Sequence, residues 1–275
     1  MNGGPVRTAV VTGGSSGIGA AICAALAADG VRVFNADIAP PDDPAAGVVH
    51  VRCDIGSDAD VAALLAQAGG IDILVNNAGG AGSPARLDAM TGADWDASMA
   101  LLLGGPRRMI TAAIPTMRTR GGGAIVNIAS ICASQPGWGG AAYSVAKAAL
   151  VHLTRVAAAE LAAENIRVNA VSPGFIATPL FGRSRGYDAG GRAALAEAIR
   201  AEAGAAQPLR RAGLPQDIAA AVRYLVSDAA GFVTGETLRV DGGLALAPAH
   251  AWDAESRSPV LRAIAAGERR IDQGR

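Results

Sequence analysis

The chain has 275 residues, with 24 lysines plus arginines against 24 aspartates plus glutamates, and so carries no formal net charge. That balance argues against a nucleic-acid binder, which needs a basic excess. Its 51% hydrophobic and 17% charged residues exclude a disordered chain, and no apolar run reaches the roughly 18 residues of a membrane-spanning helix.

Residues 6–12 read as a buried strand and 17–29, rich in Ala, Ile and Leu, as a helix. Strands follow at 31–36, 48–53 and 71–76, with helical spacing over 58–68 between the last two. Residues 94–118 look helical, with Gly104-Gly105-Pro106 expected to kink the helix or loosen its hydrogen-bond ladder. A fifth strand is expected at 124–129, a long helix at 142–164, a sixth strand at 167–171, a helix at 216–227 after Pro215, and a last strand at 237–240. Near-continuous apolar strands separated by helices indicate a parallel sheet covered on both faces. The expectation is one doubly wound α/β domain over residues 1–246, followed by a C-terminal extension, 247–275, that is flexible or docks on a neighbouring subunit. Ser258-Pro259 is a helix-start signal inside that extension. Residues 182–207, rich in Gly, Ala and Arg, have the length and place of a lid, or of a surface helix.

The three cysteines, Cys23, Cys53 and Cys132, are far apart and form no CxxC pair, which fits a reducing cytoplasm. The opening Met1-Asn2-Gly3-Gly4-Pro5 is too short and polar for a signal peptide. His50, His152 and His250 are scattered, and no metal site is expected.

Thr12-Gly13-Gly14-Ser15-Ser16-Gly17-Ile18-Gly19 joins the first strand to the first helix. Glycines there permit a tight turn and close approach of a pyrophosphate, and the helix N-terminus offers free N–H groups. Asp37 follows the second strand, where a carboxylate accepts from adenosine ribose hydroxyls and repels a 2′-phosphate. Neither Ser16 nor Ile38 supplies a cation to neutralise such a phosphate, so NAD is expected over NADP.

Of the 24 cationic side chains, Lys147 alone is lysine. It lies four residues after Tyr143 in a helical segment, so the two share a face. A tyrosine acting as a base near neutral pH needs its pKa of about 10 lowered, and a compact ammonium favours the phenolate. Arginine is a poor substitute where one group must reach both a ribose and a phenol. Ser130 lies 13 residues before Tyr143, at the C-terminal end of the fifth strand, where open α/β sheets bind ligands.

With these motifs, with Asn76-Asn77-Ala78-Gly79, with Pro173-Gly174 and with Val240-Asp241-Gly242-Gly243, the sequence resembles the short-chain dehydrogenase/reductase family. The resemblance implies a single Rossmann domain with a mostly parallel sheet of about seven strands, and a homo-oligomer, tetramer or dimer. It implies Tyr143 as general acid/base, Ser130 holding the substrate oxygen, and Lys147 binding the nicotinamide ribose and lowering the tyrosine pKa. It places the cofactor's phosphates on Gly13, Ser15, Ser16, Gly17, Ile18 and Gly19. Asp54 and Ile55 fall at the adenine, Asn77, Ala78 and Gly79 at the adenosine ribose, and Pro173, Gly174, Ile176 and Thr178 toward the nicotinamide. The implied reaction interconverts a small-molecule secondary alcohol and a ketone with NAD. Ile131, Cys132, Trp138, Phe175, Leu180 and Phe181 point to an apolar, cyclic or aryl substrate, or to core packing. Ala157, Ala158 and Ala159 are small enough for helices to pack closely between subunits.

One position departs from the family pattern. Seven residues beyond Trp95, where many members carry an asparagine that holds a proton-relay water, this chain has Leu102. Either another group holds the water, or turnover is slow, or the protein binds NAD as a sensor or inactive subunit.

Overall fold

The computed structural model describes residues 6–178, 186–202, 207–253, 256 and 258–265. Leu180 and Phe181, residues 182–185 and 203–206 of the segment 182–207, and the tail beyond 265 lie outside those residues. In chain order the elements are β1 (Thr8–Thr12), α1 (Gly17–Ala28), β2 (Arg32–Asp37), β3 (Val48–Arg52), α2 (Asp58–Ala68), β4 (Ile73–Asn76) and α3 (Gly92–Met99). There follow a π turn (Ala100–Gly104), α4 (Gly105–Thr119), β5 (Gly123–Ile128), α5 (Ala141–Leu161), β6 (Ile166–Pro173), α6 (Ala189–Glu202), α7 (Pro215–Val226) and β7 (Thr237–Val240).

The seven strands form one sheet in the order β3-β2-β1-β4-β5-β6-β7, and every pairing is parallel. Alternate residues of each strand feed two separate apolar layers, as the two-residue period of a strand requires. Val10, Phe34, Leu74 and Ile125 pack with Met109, Ile110 and Leu161 on one face. Val11, Val33, Ile73 and Val75 pack with Ile22, Leu26, Ile218 and Val222 on the other. Burial on both faces explains why the strands read as continuous apolar runs. The order reverses between β1 and β4, and the carboxyl ends of the strands there form the crevice where doubly wound sheets bind ligands.

The helix over 94–118 loosens its hydrogen-bond ladder at the place that Gly104-Gly105-Pro106 marks: a π turn ends at Gly104, with the Gly105 N–H reaching back to the Ala100 carbonyl. Pro106 has no N–H to give the Leu102 carbonyl four residues earlier, and a wider turn accommodates the missing bond. One expectation changes: the three alanines of α5 do not share one surface. Ala157 and Ala158 belong to the core beneath the sheet, and only Ala159 is exposed.

Part of segment 182–207 is helix α6, whose Ile199 packs against Phe175, Ala177 and Ala212. This sets the helix beside the end of β6. Residues 259–265 are helical, and Val260, Leu261 and Ile264 are exposed there.

Candidate active site

The β1–α1 turn is braced from the end of β4. Thr12 Oγ1 accepts from the backbone N–H groups of Asn77 and Ala78, each at 3.0 Å. Asn77 Nδ2 donates to the carbonyls of Thr12 at 2.9 Å and Gly13 at 3.0 Å. Gly13 sits at φ 66°, and a Cβ there would stand 2.7 Å from Ala78 Cα, so both conformation and space require glycine. Gly19 packs directly on the Gly13 carbonyl and does not line the cavity. Ser16 caps α1 with extended backbone and makes no side-chain cap bond, and no acidic residue lies in the first turn. The first N–H groups of α1 therefore present the positive end of the helix dipole to an anion.

Ser15 also lies outside the cavity wall. Its hydroxyl donates to the Ala39 carbonyl at 2.6 Å and accepts from Asn35 Nδ2 at 3.0 Å. Its backbone N–H donates to Asp37 Oδ2 at 3.1 Å, while the Ala39 N–H donates to Asp37 Oδ1 at 3.2 Å. Asp37 is thereby fixed at the end of β2. Asp54 is oriented by the Gly56 N–H, which donates to Oδ1 at 2.7 Å.

A cavity of about 560 Å³ runs along the carboxyl ends of the strands. Its wall includes Gly13, Ser16, Gly17 and Ile18 at the turn, Asp37, Asp54 and Ile55 at one end, and Asn77, Ala78 and Gly79 in the middle. Ser130, Tyr143, Lys147, Pro173, Gly174, Ile176 and Thr178 line the other end. Of the residues expected to hold a cofactor, only Ser15 and Gly19 are absent from that wall, and both support the turn from behind.

At the second end, Ser130 opens a short 3₁₀ turn (Ile131–Ala133), and its Oγ accepts from the Cys132 N–H at 3.2 Å. Burial pushes the Tyr143 phenol up to about 12, partly offset by its hydrogen bond with Ser130. Burial also draws the Lys147 ammonium down, to about 8. Lys147 Nζ donates to the Ile128 carbonyl at 2.7 Å and lies 5.8 Å from the centroid of the Tyr143 ring. The seating of α5 that makes this possible comes from a buried polar chain. Asn76 donates to Asn127 at 2.8 Å, Asn127 to Thr154 at 2.9 Å, and the Thr154 hydroxyl to the Leu150 carbonyl at 2.9 Å. Asn127, Thr154 and the Ile128 carbonyl had escaped sequence reasoning. An asparagine in the middle of a buried apolar strand was the available signal.

Leu102 lies in the π turn, 1% exposed, and lines the cavity beside Gly79. Ile131, Cys132, Trp138 and Phe175 line it too. Among the described residues, no group of three or more His, Cys, Asp or Glu could hold a metal, and no helix is long and apolar enough to cross a membrane.

The residues fit a dinucleotide. A turn that any Cβ at Gly13 would obstruct adjoins a helix N-terminus without a side-chain cap. Carboxylates sit at one end of the cavity, and at the other a Ser-Tyr-Lys group in which Ser130 and Lys147 are buried.

Comparison with known proteins agrees. The family profile described as Enoyl-(Acyl carrier protein) reductase matches residues 13–245. The chain is 40% identical over 249 residues to cis-4-hydroxycyclohexanecarboxylate dehydrogenase of Sinomonas cyclohexanicum, covering 86% of this chain and 96% of the relative. It is 38% identical to momilactone A synthase of Oryza sativa subsp. japonica, covering 87% and 90% of the two chains. The ligand-free aldohexose dehydrogenase of Thermoplasma acidophilum superposes with TM-score 0.79 at 34% identity, covering 88% of this chain and 95% of that one. Fold, site architecture and relatives together show that the chain belongs to the short-chain dehydrogenase/reductase family, oxidoreductases that bind a nicotinamide cofactor.

Proposed function

We propose that the protein is an NAD(H)-dependent dehydrogenase interconverting a secondary alcohol and a ketone on an apolar or cyclic substrate. The observation that carries this reading is the single cavity joining Asp37 to Tyr143 and Lys147. The carboxylate of Asp37, held by the N–H groups of Ser15 and Ala39, supports NAD over NADP, because a 2′-phosphate beside it would meet like charge.

When bound, the nicotinamide supplies the hydride acceptor or donor and, when oxidised, a positive charge near Tyr143. Tyr143 takes the hydroxyl proton of the alcohol, or returns it to the ketone oxygen, as general base or acid. Ser130 donates to that oxygen as negative charge develops on it. Lys147 holds the ribose and contributes its ammonium to the field that ionises the phenol. For the chain alone the phenol stands at about 12, so the charges that assemble around it must lower this value before it works as a base near neutral pH.

A cyclic substrate is supported by Ile131, Cys132, Trp138 and Phe175 along the wall and by the ring alcohol named for the Sinomonas relative. The dehydrogenase domain is assigned to residues 1–246 and the remainder to an extension. Exposed Leu101, Val145 and Val156 on the π turn and α5 support a homo-oligomer, and the sparse thiols support a cytoplasmic site of action. Screening secondary alcohols with NAD+ and following NADH absorbance tests the reading. NAD+ binding without turnover of any alcohol would instead identify a sensor or inactive subunit.

A further inference from the structure

The loop between the 3₁₀ turn at Ile131–Ala133 and α5 carries one large side chain in a run of glycines, Gly137-Trp138-Gly139-Gly140. Each glycine is held there by geometry. Gly137 adopts φ 95°, which side-chain-bearing residues rarely reach. A Cβ at Gly139 would stand 3.1 Å from both Cys132 Sγ and Tyr143 Cδ1, so the backbone runs directly against the ring edge of Tyr143. A Cβ at Gly140 would collide with the Ser83 carbonyl, which pins the loop to the segment after β4. Trp138 lines the cavity that Ser130 and Tyr143 also line, on a backbone that packs closely at Gly139 and Gly140. Trp138 lines that cavity yet is 55% exposed, whereas Ile131 and Cys132 next to it are 4% and 8% exposed. Core packing therefore does not account for Trp138. An aromatic side chain that borders a cavity without being packed into the core is suited to stacking on a ring.

Resting on the dehydrogenase reading, we propose that Trp138 is the specificity-determining residue of the site. Its indole stacks on the face of a six-membered carbocyclic or aryl ring and presents the ring's carbinol carbon edge-on to Ser130 and Tyr143. Preference for cyclic over open-chain alcohols then resides in this side chain.

The test compares the wild type with Trp138→Ala and Trp138→Phe on cyclohexanol and 2-hexanol, which have equal carbon number, under saturating NAD+. Trp138→Ala should lower kcat/KM for cyclohexanol about tenfold, mainly through KM, the factor that about 1.4 kcal/mol of lost stacking and burial corresponds to. The open-chain alcohol should lose less than about threefold, and Trp138→Phe should keep the ring preference. Equal losses on both alcohols, no loss on either, or a change in oligomer size without a change in ring preference would overturn the proposal. A second readout needs no turnover. Acetophenone added to the NAD+-saturated protein should quench tryptophan emission, and the quenching should vanish in Trp138→Phe, which retains Trp95 and Trp252. Quenching that persists in that variant overturns the stacking role. If no alcohol is oxidised while Trp138-dependent quenching is intact, the dehydrogenase reading falls and the stacking site stands. Turnover that is indifferent to Trp138 keeps the dehydrogenase reading and removes the stacking site.

Discussion

Lys147 Nζ donates to the Ile128 carbonyl at 2.7 Å, which fixes the ammonium at the end of β5 while its helix carries Tyr143 one turn earlier. Lys147 is 5% exposed, so its stem and ammonium are enclosed by the fold. A guanidinium keeps the charge but places a planar fork where one tetrahedral donor now fits. Lys147→Arg should therefore fold, keep the net charge, and lower kcat at least about a hundredfold, the cost of misplacing a group by about 1 Å. Steady-state rates with NAD+ and thermal melts of the two proteins check this; activity within a few-fold of the wild type would show that only charge matters.

Burial of the same lysine has a signature in stability. Its pKa falls from 10.5 in the unfolded chain to about 8 in the fold. Between these values the unfolded chain binds more protons, so this group makes stability rise with pH across that window and contributes no slope below it. Relative to Lys147→Met, the wild type should gain up to about 3 kcal/mol between pH 8 and 10, because each tenfold change in proton affinity is worth roughly 1.4 kcal/mol. Tyr143, raised from 10.0 to about 12 by burial, has the opposite sign and acts only above pH 10. Urea unfolding of both proteins at several pH values reads the difference; a gap that does not change with pH would mean the lysine is not desolvated.

Much of this architecture is legible along the chain. Strands buried on both faces announce themselves as apolar runs, and α2 (Asp58–Ala68) and β7 (Thr237–Val240) fall where spacing puts them. The glycine turn, Asp37, Ser130 and Tyr143 are local features at the ends of those elements. What is not legible depends on contacts between distant residues. The Ile128 carbonyl that receives Lys147, the Thr12–Asn77 brace and the Asn76–Asn127–Thr154 chain each join different elements. Gly104-Gly105-Pro106 announces a loosened ladder, but not that it takes the form of a π turn over 100–104, because Leu101, Leu102 and Leu103 are apolar in any helical register. Trp138 is legible as a pocket or a core residue; that it lines the cavity while half-exposed is a fact of the folded chain.

In the proposed mechanism Tyr143 moves the proton, while the neighbouring Ser130 only donates to the substrate oxygen. Tyr143→Phe should reduce kcat by about 10² to 10⁴, the usual contribution of general acid–base catalysis. Cofactor affinity should change little, because the glycine turn, Asp37 and Lys147 are untouched. Fluorescence titration with NADH alongside turnover separates the two effects, and full activity in the variant would remove Tyr143 from the mechanism.

Asp37 lies at the opposite end of the cavity with both oxygens already accepting backbone N–H groups. A 2′-phosphate would sit against a carboxylate anchored too firmly to swing aside. NADP+ should be used at least about a hundredfold less efficiently than NAD+, as a few kcal/mol of like-charge repulsion at close range implies. Asp37→Asn keeps the shape and removes the charge, so it should narrow that ratio mainly through KM for NADP+. Equal efficiency with both cofactors in the wild type would defeat the assignment.

Leu102 stands where many relatives place an asparagine to hold a relay water near the lysine. Its side chain cannot bind water, but its backbone is unusual. Pro106 withholds the N–H that an α-helix would give the Leu102 carbonyl, and the π turn at Ala100–Gly104 accommodates that gap. The Leu102 carbonyl therefore lacks the i+4 donor an α-helix would give it. Leu102→Asn adds an amide at a site 1% exposed and beside Gly79, where a Cβ would lie 3.1 Å from Leu102 Cδ2. Burying that amide should cost about 1–3 kcal/mol of stability. If the carbonyl already serves the relay, kcat should stay within about threefold, well under 1 kcal/mol on the barrier. Urea melts and steady-state rates with the best alcohol found check both halves. A tenfold or larger rise in kcat would show that the leucine, and not the substrate or the cofactor, holds this enzyme's turnover down.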